Sequence, residues 1–282
     1  MGSSTISLGL GLGGGKSATS SGTSGGGGAY PNQYSISLDG SNDYVTGDST
    51  TTIGSVSMWI KAPYEINTTQ PSPSFGYPYQ VCFGQSAGDF IFGLGPIVTP
   101  LTNEIIVFSH GGTRYGACST SNVLPADTWH HLFTSWQTSS ETNPGGAGYD
   151  IWVNGVKATN AGNNGWTTDT SGTAKTSPDS LANGFKLGCR ANGSYFFNGL
   201  TDEFALWSGD VSSYVANIYN AGAGAVDLSD SSVVGTTPEI WWRNGDNDGG
   251  TDLTITNQGS EGSSANGTLT NGPTFSTDVP PS

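Results

Sequence analysis

Short stretches in which apolar and polar residues alternate run along most of this chain. That period of two marks strands with one face turned to a core. In Ser55–Lys61 the apolar positions Val56, Met58 and Ile60 fall on one side. Trp129–Trp136 alternates in the same way, after the turn residues Pro125, Ala126 and Asp127. Tyr149–Val153 leads into Asn154-Gly155, the pair favoured at the two positive-φ positions of a type I′ hairpin, so Ile151 and Val153 are expected to share a buried face. Runs at Tyr34–Leu38, Tyr79–Phe83, Phe90–Leu94, Ile105–Ser109 and Phe185–Gly188 read as further strands, as do Glu239–Arg243 and Leu253–Thr256 nearer the C-terminus. Residues 62–80 carry repeated Pro and Tyr and no period, which predicts a long loop.

The period changes once. From Phe196 the chain is strand-like, with Leu200, Phe204, Leu206 and Trp207 as apolar residues. After Ser208-Gly209-Asp210, the residues Val211, Val215, Ile218 and Tyr219 recur at spacings of three and four, as on one face of a short helix. Asp210 is the expected N-cap and Gly222 the expected stop.

These stretches, in this order, resemble laminin-G-like domains of the concanavalin A-like jelly-roll family. The match runs through Ser37-Leu38-Asp39-Gly40-Ser41-Asn42-Asp43-Tyr44-Val45, then Ser57-Met58-Trp59-Ile60-Lys61, Trp129-His130-His131, and Trp152-Val153-Asn154-Gly155-Val156. It continues through Phe185–Gly188 to Gly199-Leu200-Thr201-Asp202-Glu203-Phe204-Ala205-Leu206-Trp207 and the helix end Ile218-Tyr219-Asn220-Ala221-Gly222. The resemblance spans about residues 34–222. It implies an all-β fold: a two-sheet antiparallel jelly-roll sandwich with one short helix and Gly-rich terminal arms. The expected organisation is an arm over 1–29, the jelly roll over 30–230, and C-terminal strands and tail over 231–282, packed on the jelly roll or on a neighbour. A second, looser likeness lies in Trp241-Trp242-Arg243 with Gly245-Asp246, and in the tail from Gly267 to Pro280; these resemble structural proteins of marine bacteriophages. It implies a virion protein on the particle exterior, made in the host cytoplasm, with other virion proteins and copies of itself as partners.

Composition narrows the classes. Of 282 residues 44 are glycine and only 11% are charged, which fits tight turns between short strands and not a helical bundle. The formal net charge of −14, without any Lys/Arg cluster, disfavours nucleic acid as a partner. No apolar run approaches a membrane span, so insertion is not expected. The first thirty residues lack the pattern of a secretory leader, and Ile6 breaks the myristoylation pattern. Ile6, Leu8, Leu10 and Leu12 alternate with small residues in that arm. They read either as a flexible linker or as a strand added to another subunit's sheet edge. Cys82, Cys118 and Cys189 have no metal-ligand spacing; Cys82 and Cys118 can meet in a sheet, and the alternative is three small buried apolar residues.

Catalysis is not expected. A glycosidase on this fold needs two carboxylates on one side of a cleft. Asp202 and Glu203 are adjacent, so strand alternation sends them to opposite faces, and Glu203 reads as a solvent residue. The resemblance implies Ca²⁺ as a cofactor, with Asp43, Asp202 and the Gly40 carbonyl as family-matched ligands; the alternative is that both aspartates cap backbone N–H groups. Aromatic residues in loop-like contexts, Trp166, Tyr77 and Tyr79, are candidates to stack on a host-surface glycan or to anchor a protein neighbour. The expected function is a non-enzymatic virion structural protein displaying a lectin-like jelly roll, with a carbohydrate-binding adhesion module as the alternative.

Overall fold

The structure, a computed structural model, describes residues 30–65, 80–85, 90–94, 104–108, 117–118, 124–140, 147–157 and 177–281. Their strands in chain order are β1 (Ser35–Asp39), β2 (Tyr44–Gly47), β3 (Ser55–Lys61), β4 (Gln80–Gln85), β5 (Ile91–Leu94), β6 (Glu104–Phe108), β7 (Ala117–Cys118) and β8 (Trp129–Gln137). They continue with β9 (Gly148–Val153), β10 (Val156–Lys157), β11 (Phe185–Leu187), β12 (Asn198–Trp207), β13 (Ile240–Trp242), β14 (Thr254–Ile255), β15 (Gly267–Thr270) and β16 (Thr274–Ser276). Two short helices, α1 (Val215–Tyr219) and α2 (Ser231–Val234), follow β12.

The strands form two antiparallel sheets. The first runs β10-β9-β8-β3-β12-β1-β16, with β13 also paired to β12. The second runs β14-β15-β2-β11-β4-β5-β6-β7. This is the two-sheet jelly-roll sandwich that the family resemblance implies. The C-terminal stretch is woven into it rather than appended: β13 and β16 join the first sheet, β14 and β15 the second.

The core between the sheets holds the expected faces. Val56, Met58 and Ile60 of β3 lie in it, as do Ile151 and Val153 of β9. At its centre are rings: Phe83 and Phe204 are 5.3 Å apart, and Phe185 stacks on Trp242 at 5.2 Å. Such pairs add about 0.5–1.5 kcal/mol each beyond the area they bury. The Asn154-Gly155 turn forms as expected, with φ of 49° and 75°.

A second apolar layer, absent from the pattern-based reading, covers the other face of the first sheet. Phe133, Trp152, Ala205, Trp207 and Trp241 face it from the strands, and Val215 and Ile218 of α1 close over them. Alternating polar positions of β3 and β8 are therefore buried as well: Ser57 and His131 are almost fully enclosed. The helix differs from expectation at both ends. Asp210 accepts the Ser212 N–H at 2.8 Å in the turn that precedes the helix, while α1 itself starts behind Tyr214 with no side-chain cap, and the chain turns left-handed already at Asn220 (φ 52°), before Gly222.

Cys82 lies on β4 and Cys118 on β7, with β5 and β6 between them. Three strand spacings are roughly 14 Å, about twice the Cα separation that a disulfide spans. Cys189 is buried and free, and desolvation pushes its thiol up to about 12 against the opposing Lys186 charge; it packs as an apolar residue.

Candidate functional site

β12 carries the family-matched carboxylates, and its backbone is irregular there. Asp202 pairs with Trp59 and Ala205 with Ser57, so Glu203 and Phe204 together oppose Met58. This is a β-bulge, and Glu203 sits in it at a φ of 47°. The left-handed backbone of a non-glycine residue costs on the order of 1–3 kcal/mol. The extra residue breaks the alternation. Asp202 shares the side of its partner Trp59, and Glu203 also reaches the covered outer side, where its Oε2 accepts the Trp241 indole N–H at 2.6 Å. Neither residue faces solvent: Asp202 is 0% and Glu203 4% exposed. Both expectations for Glu203, the opposite face and the solvent, are thus corrected by the bulge.

Arg243, next along from β13, supplies the compensating charge. Its Nε is 3.1 Å from Glu203 Oε1 and its Nη2 is 3.2 Å from Asp246 Oδ2. The same Nη2 donates to the Pro31 carbonyl, and the guanidinium lies 4.3 Å from the Tyr30 ring centre. Asp246 also accepts the N–H groups of Gln33 and Tyr34 at 2.6 and 3.2 Å, and Asp202 Oδ2 accepts the Asn32 amide at 2.8 Å. The segment entering the domain is thereby clasped to β12 and to the turn after β13. Burial pushes the Glu203 carboxyl up to about 7, against the pull of Arg243 and its hydrogen bonds. Burial, then the neighbouring Glu203 charge, pushes Asp202 well above the usual carboxylate range.

The metal candidates are not brought together. Asp39 pairs with Asn198, and Asp202 lies four residues further along β12, roughly 13 Å of strand. Asp43 stays at the β1–β2 turn, where its Oδ2 accepts the Asp39 N–H at 3.3 Å and burial followed by the Asp39 charge raises its pKa. Gly40 occupies the same turn at a φ of 73°, and a Cβ there would lie 2.6 Å from Asn198 Cβ. Asp202 has its own donors, Asn32 and the Glu203 N–H at 2.8 Å. Asp43, Gly40 and Asp202 therefore do not fit one Ca²⁺ ion, which takes six to eight convergent oxygens. Among the described residues no group of three or more His, Cys, Asp or Glu side chains converges on a point. The stacking candidates Trp166, Tyr77 and Tyr79, and the arm residues Ile6, Leu8, Leu10 and Leu12, lie outside the described residues.

His130 and His131 pair with Ile60 and Trp59 and so take opposite faces, yet both are buried. His131 bonds Ser57 Oγ at 2.8 Å and lies 5.1 Å from the Trp59 ring, and desolvation holds it down to about 3. Its Nδ1 has no partner, so no carboxylate orients it as a nucleophile's base.

The second sheet is different on its outer side. There Phe185 and Leu187 of β11 point to the core while Lys186 between them is partly exposed. On β2, Tyr44 and Thr46 are likewise partly exposed on either side of buried Val45, and Thr268 is exposed on β15. Tyr44 stands 6.4 Å from the Phe196 ring, and Lys186 Nζ lies 4.4 Å from the Tyr44 ring centre. Sequence reasoning treated Tyr44 only as part of a strand motif. A usable signal was present, since Lys186 is a rare cation between two apolar residues of a charge-poor chain.

Comparison with known proteins agrees with this architecture. Residues 38–213, more than half of the chain, match the model of the concanavalin A-like lectin/glucanases superfamily. A solved structure described as a putative carbohydrate binding protein from Bacteroides ovatus is similar at 18% identity and a TM-score of 0.56. The match covers 90% of this chain and 62% of that one, so this chain spans under two thirds of that protein's length. Looser likenesses are to a heptameric SAP-like pentraxin from Limulus polyphemus (13% identity, TM-score 0.44, covering 68% of this chain and 84% of that one) and to domain 4 of a GH43 extracellular arabinanase from Geobacillus stearothermophilus in complex with arabinotriose (19%, 0.38, 64% and 75%). Among curated protein sequences none matches at a significant level. The two-sheet fold and the family match agree, and the chain belongs to the concanavalin A-like lectin/glucanases superfamily.

Proposed function

We propose that this chain is a non-catalytic carbohydrate-binding module whose glycan lies on the outer side of the second sheet. The observation that carries the reading is the pairing of Tyr44 and Phe196, two partly exposed rings 6.4 Å apart beside a row of threonines. Sugar rings present C–H faces that stack on such rings, and hydroxyls beside them fix orientation. The outer side of the first sheet is covered around β3, β8 and β12 by α1 and the second apolar layer. Burial of the family-matched carboxylates supports a role without catalysis. The Asp202–Glu203 pair is enclosed, whereas glycoside-cleaving carboxyls must flank a bound sugar.

The test is a glycan array probed with the full chain and with Tyr44→Ala and Phe196→Ala. Binding that is lost in both variants, at unchanged melting temperature, supports the module. Absence of any glycan binding, or binding indifferent to both substitutions, overturns it.

Placement on a virion exterior is the second reading. Its support was the likeness around Trp241-Trp242-Arg243, but Trp242 is a core residue and Trp241 and Arg243 hold the entering segment. Those residues answer to packing, so the likeness speaks for a shared fold before a shared setting. Deleting residues 1–28 tests this reading: a folded chain that no longer enters particles or oligomers supports it, and unaltered assembly removes it.

A further inference from the structure

We infer, resting on the glycan-binding reading above, that the Tyr44 surface selects glycans that carry a carboxylate, with Lys186 as the residue that reads it. The chain has 22 acidic and 8 basic residues, so a cation that meets no acid is an exception needing a cause. Lys61 pairs with Asp278 at 2.6 Å, Lys157 with Asp150 at 2.9 Å, and Arg243 with Glu203 and Asp246. Lys186 has no carboxylate partner among the described residues. Its ammonium rests instead on the face of Tyr44.

Local structure explains why that position is held. Across the sheet Lys186 is flanked by Thr46 on β2 and Gly84 on β4, so neither neighbouring strand offers it an acid. Gly84 is required there. A Cβ at Gly84 would lie 2.8 Å from the Cys189 carbonyl oxygen, because the chain after β11 folds back over that strand. The returning segment passes Gly193, whose added Cβ would lie 3.8 Å from Lys186 Nζ, and then delivers Phe196 to Tyr44. The result is a ring pair with one unpaired ammonium at its edge and threonine hydroxyls beyond it.

A neutral sugar can use the rings and the hydroxyls but leaves the ammonium with only the tyrosine face. A uronic or sialic acid residue stacked on the same rings brings a carboxylate that accepts a charge-assisted N–H···O bond from Nζ, a stronger bond than a neutral hydroxyl accepts. The overall charge of −14 disfavours anions at long range, and salt screens that repulsion while leaving the short contact intact. Discrimination is therefore expected to persist at physiological salt.

The experiment measures Kd by titration calorimetry of the full chain with two matched pairs: trigalacturonate against its methyl ester, and 3′-sialyllactose against lactose. At least one acidic member is expected to bind about tenfold more tightly than its neutral partner, a coupling of about 1.4 kcal/mol. Lys186→Gln should bring the acid to the level of the neutral sugar, and Lys186→Arg should keep the preference, which separates lost charge from lost folding. Equal binding within both pairs, or a preference that survives Lys186→Gln, overturns this inference and leaves the module reading standing. If none of the four probes binds, this inference falls, and the array with Tyr44→Ala decides the module separately.

Discussion

Glu203 Oε1 accepts the Arg243 Nε–H at 3.1 Å, and both side chains are sealed from solvent beneath Tyr30 and Trp241. Removing one member of a buried ion pair leaves the other as an uncompensated charge, at a cost of about 3–5 kcal/mol. Arg243→Met should lower stability in chemical denaturation by that order. Adding Glu203→Gln should recover part of the loss, because the orphaned charge goes with it. A double variant no more stable than Arg243→Met alone would show that the guanidinium's contacts to Pro31 and Asp246 matter more than the pair.

The register of the first sheet gives a second expectation. Val153 opposes Leu132 on β8 and Val156 on β10, and is 4% exposed. Val153→Asp places an unpaired charge in the core and should cost roughly 3 kcal/mol or more. A thermal melting curve matching the parent's would refute the register.

His131 sets a pH dependence with a definite sign. Its pKa falls from 6.5 to about 3 on folding because the buried imidazolium is poorly solvated. The unfolded chain therefore binds the proton more readily, and the stability this residue contributes is complete above pH 6.5 and lost as pH falls toward 3. His131→Gln keeps a hydrogen-bonding partner for Ser57 but cannot titrate. The variant's deficit relative to the parent should shrink steadily from pH 7 to pH 4 in urea denaturation. A deficit constant over that range would mean that His131 does not carry the effect.

Asp43 and Asp202 are separated along the sheet, so they should respond to metal independently. The difference in melting temperature between calcium-supplemented and EDTA-treated protein is expected to be the same in Asp202→Asn as in the parent. Loss of that difference in both Asp202→Asn and Asp43→Asn would restore a single shared site.

What the sequence determined by itself is local in origin. Alternation at Val56, Met58 and Ile60 and at Ile151 and Val153 requires a strand with a buried side, and Asn154-Gly155 requires a tight turn. Neighbours along the chain impose those constraints, so they are legible without a structure. The helix face at Val211, Val215 and Ile218 was legible for the same reason, although its end at Asn220 was not, since a non-glycine residue takes the left-handed turn there. The site depended on contacts distant in sequence. One extra residue at Glu203 turned two adjacent carboxylates to the same covered side, where Arg243, 40 positions on, meets Glu203 and Asn32 meets Asp202. A bulge is a property of two paired strands, and alternation within either strand does not announce it. Lys186 and Tyr44 lie more than a hundred residues apart and meet because β2 and β11 are neighbours, so strand order alone decided that a lone cation would rest on a ring.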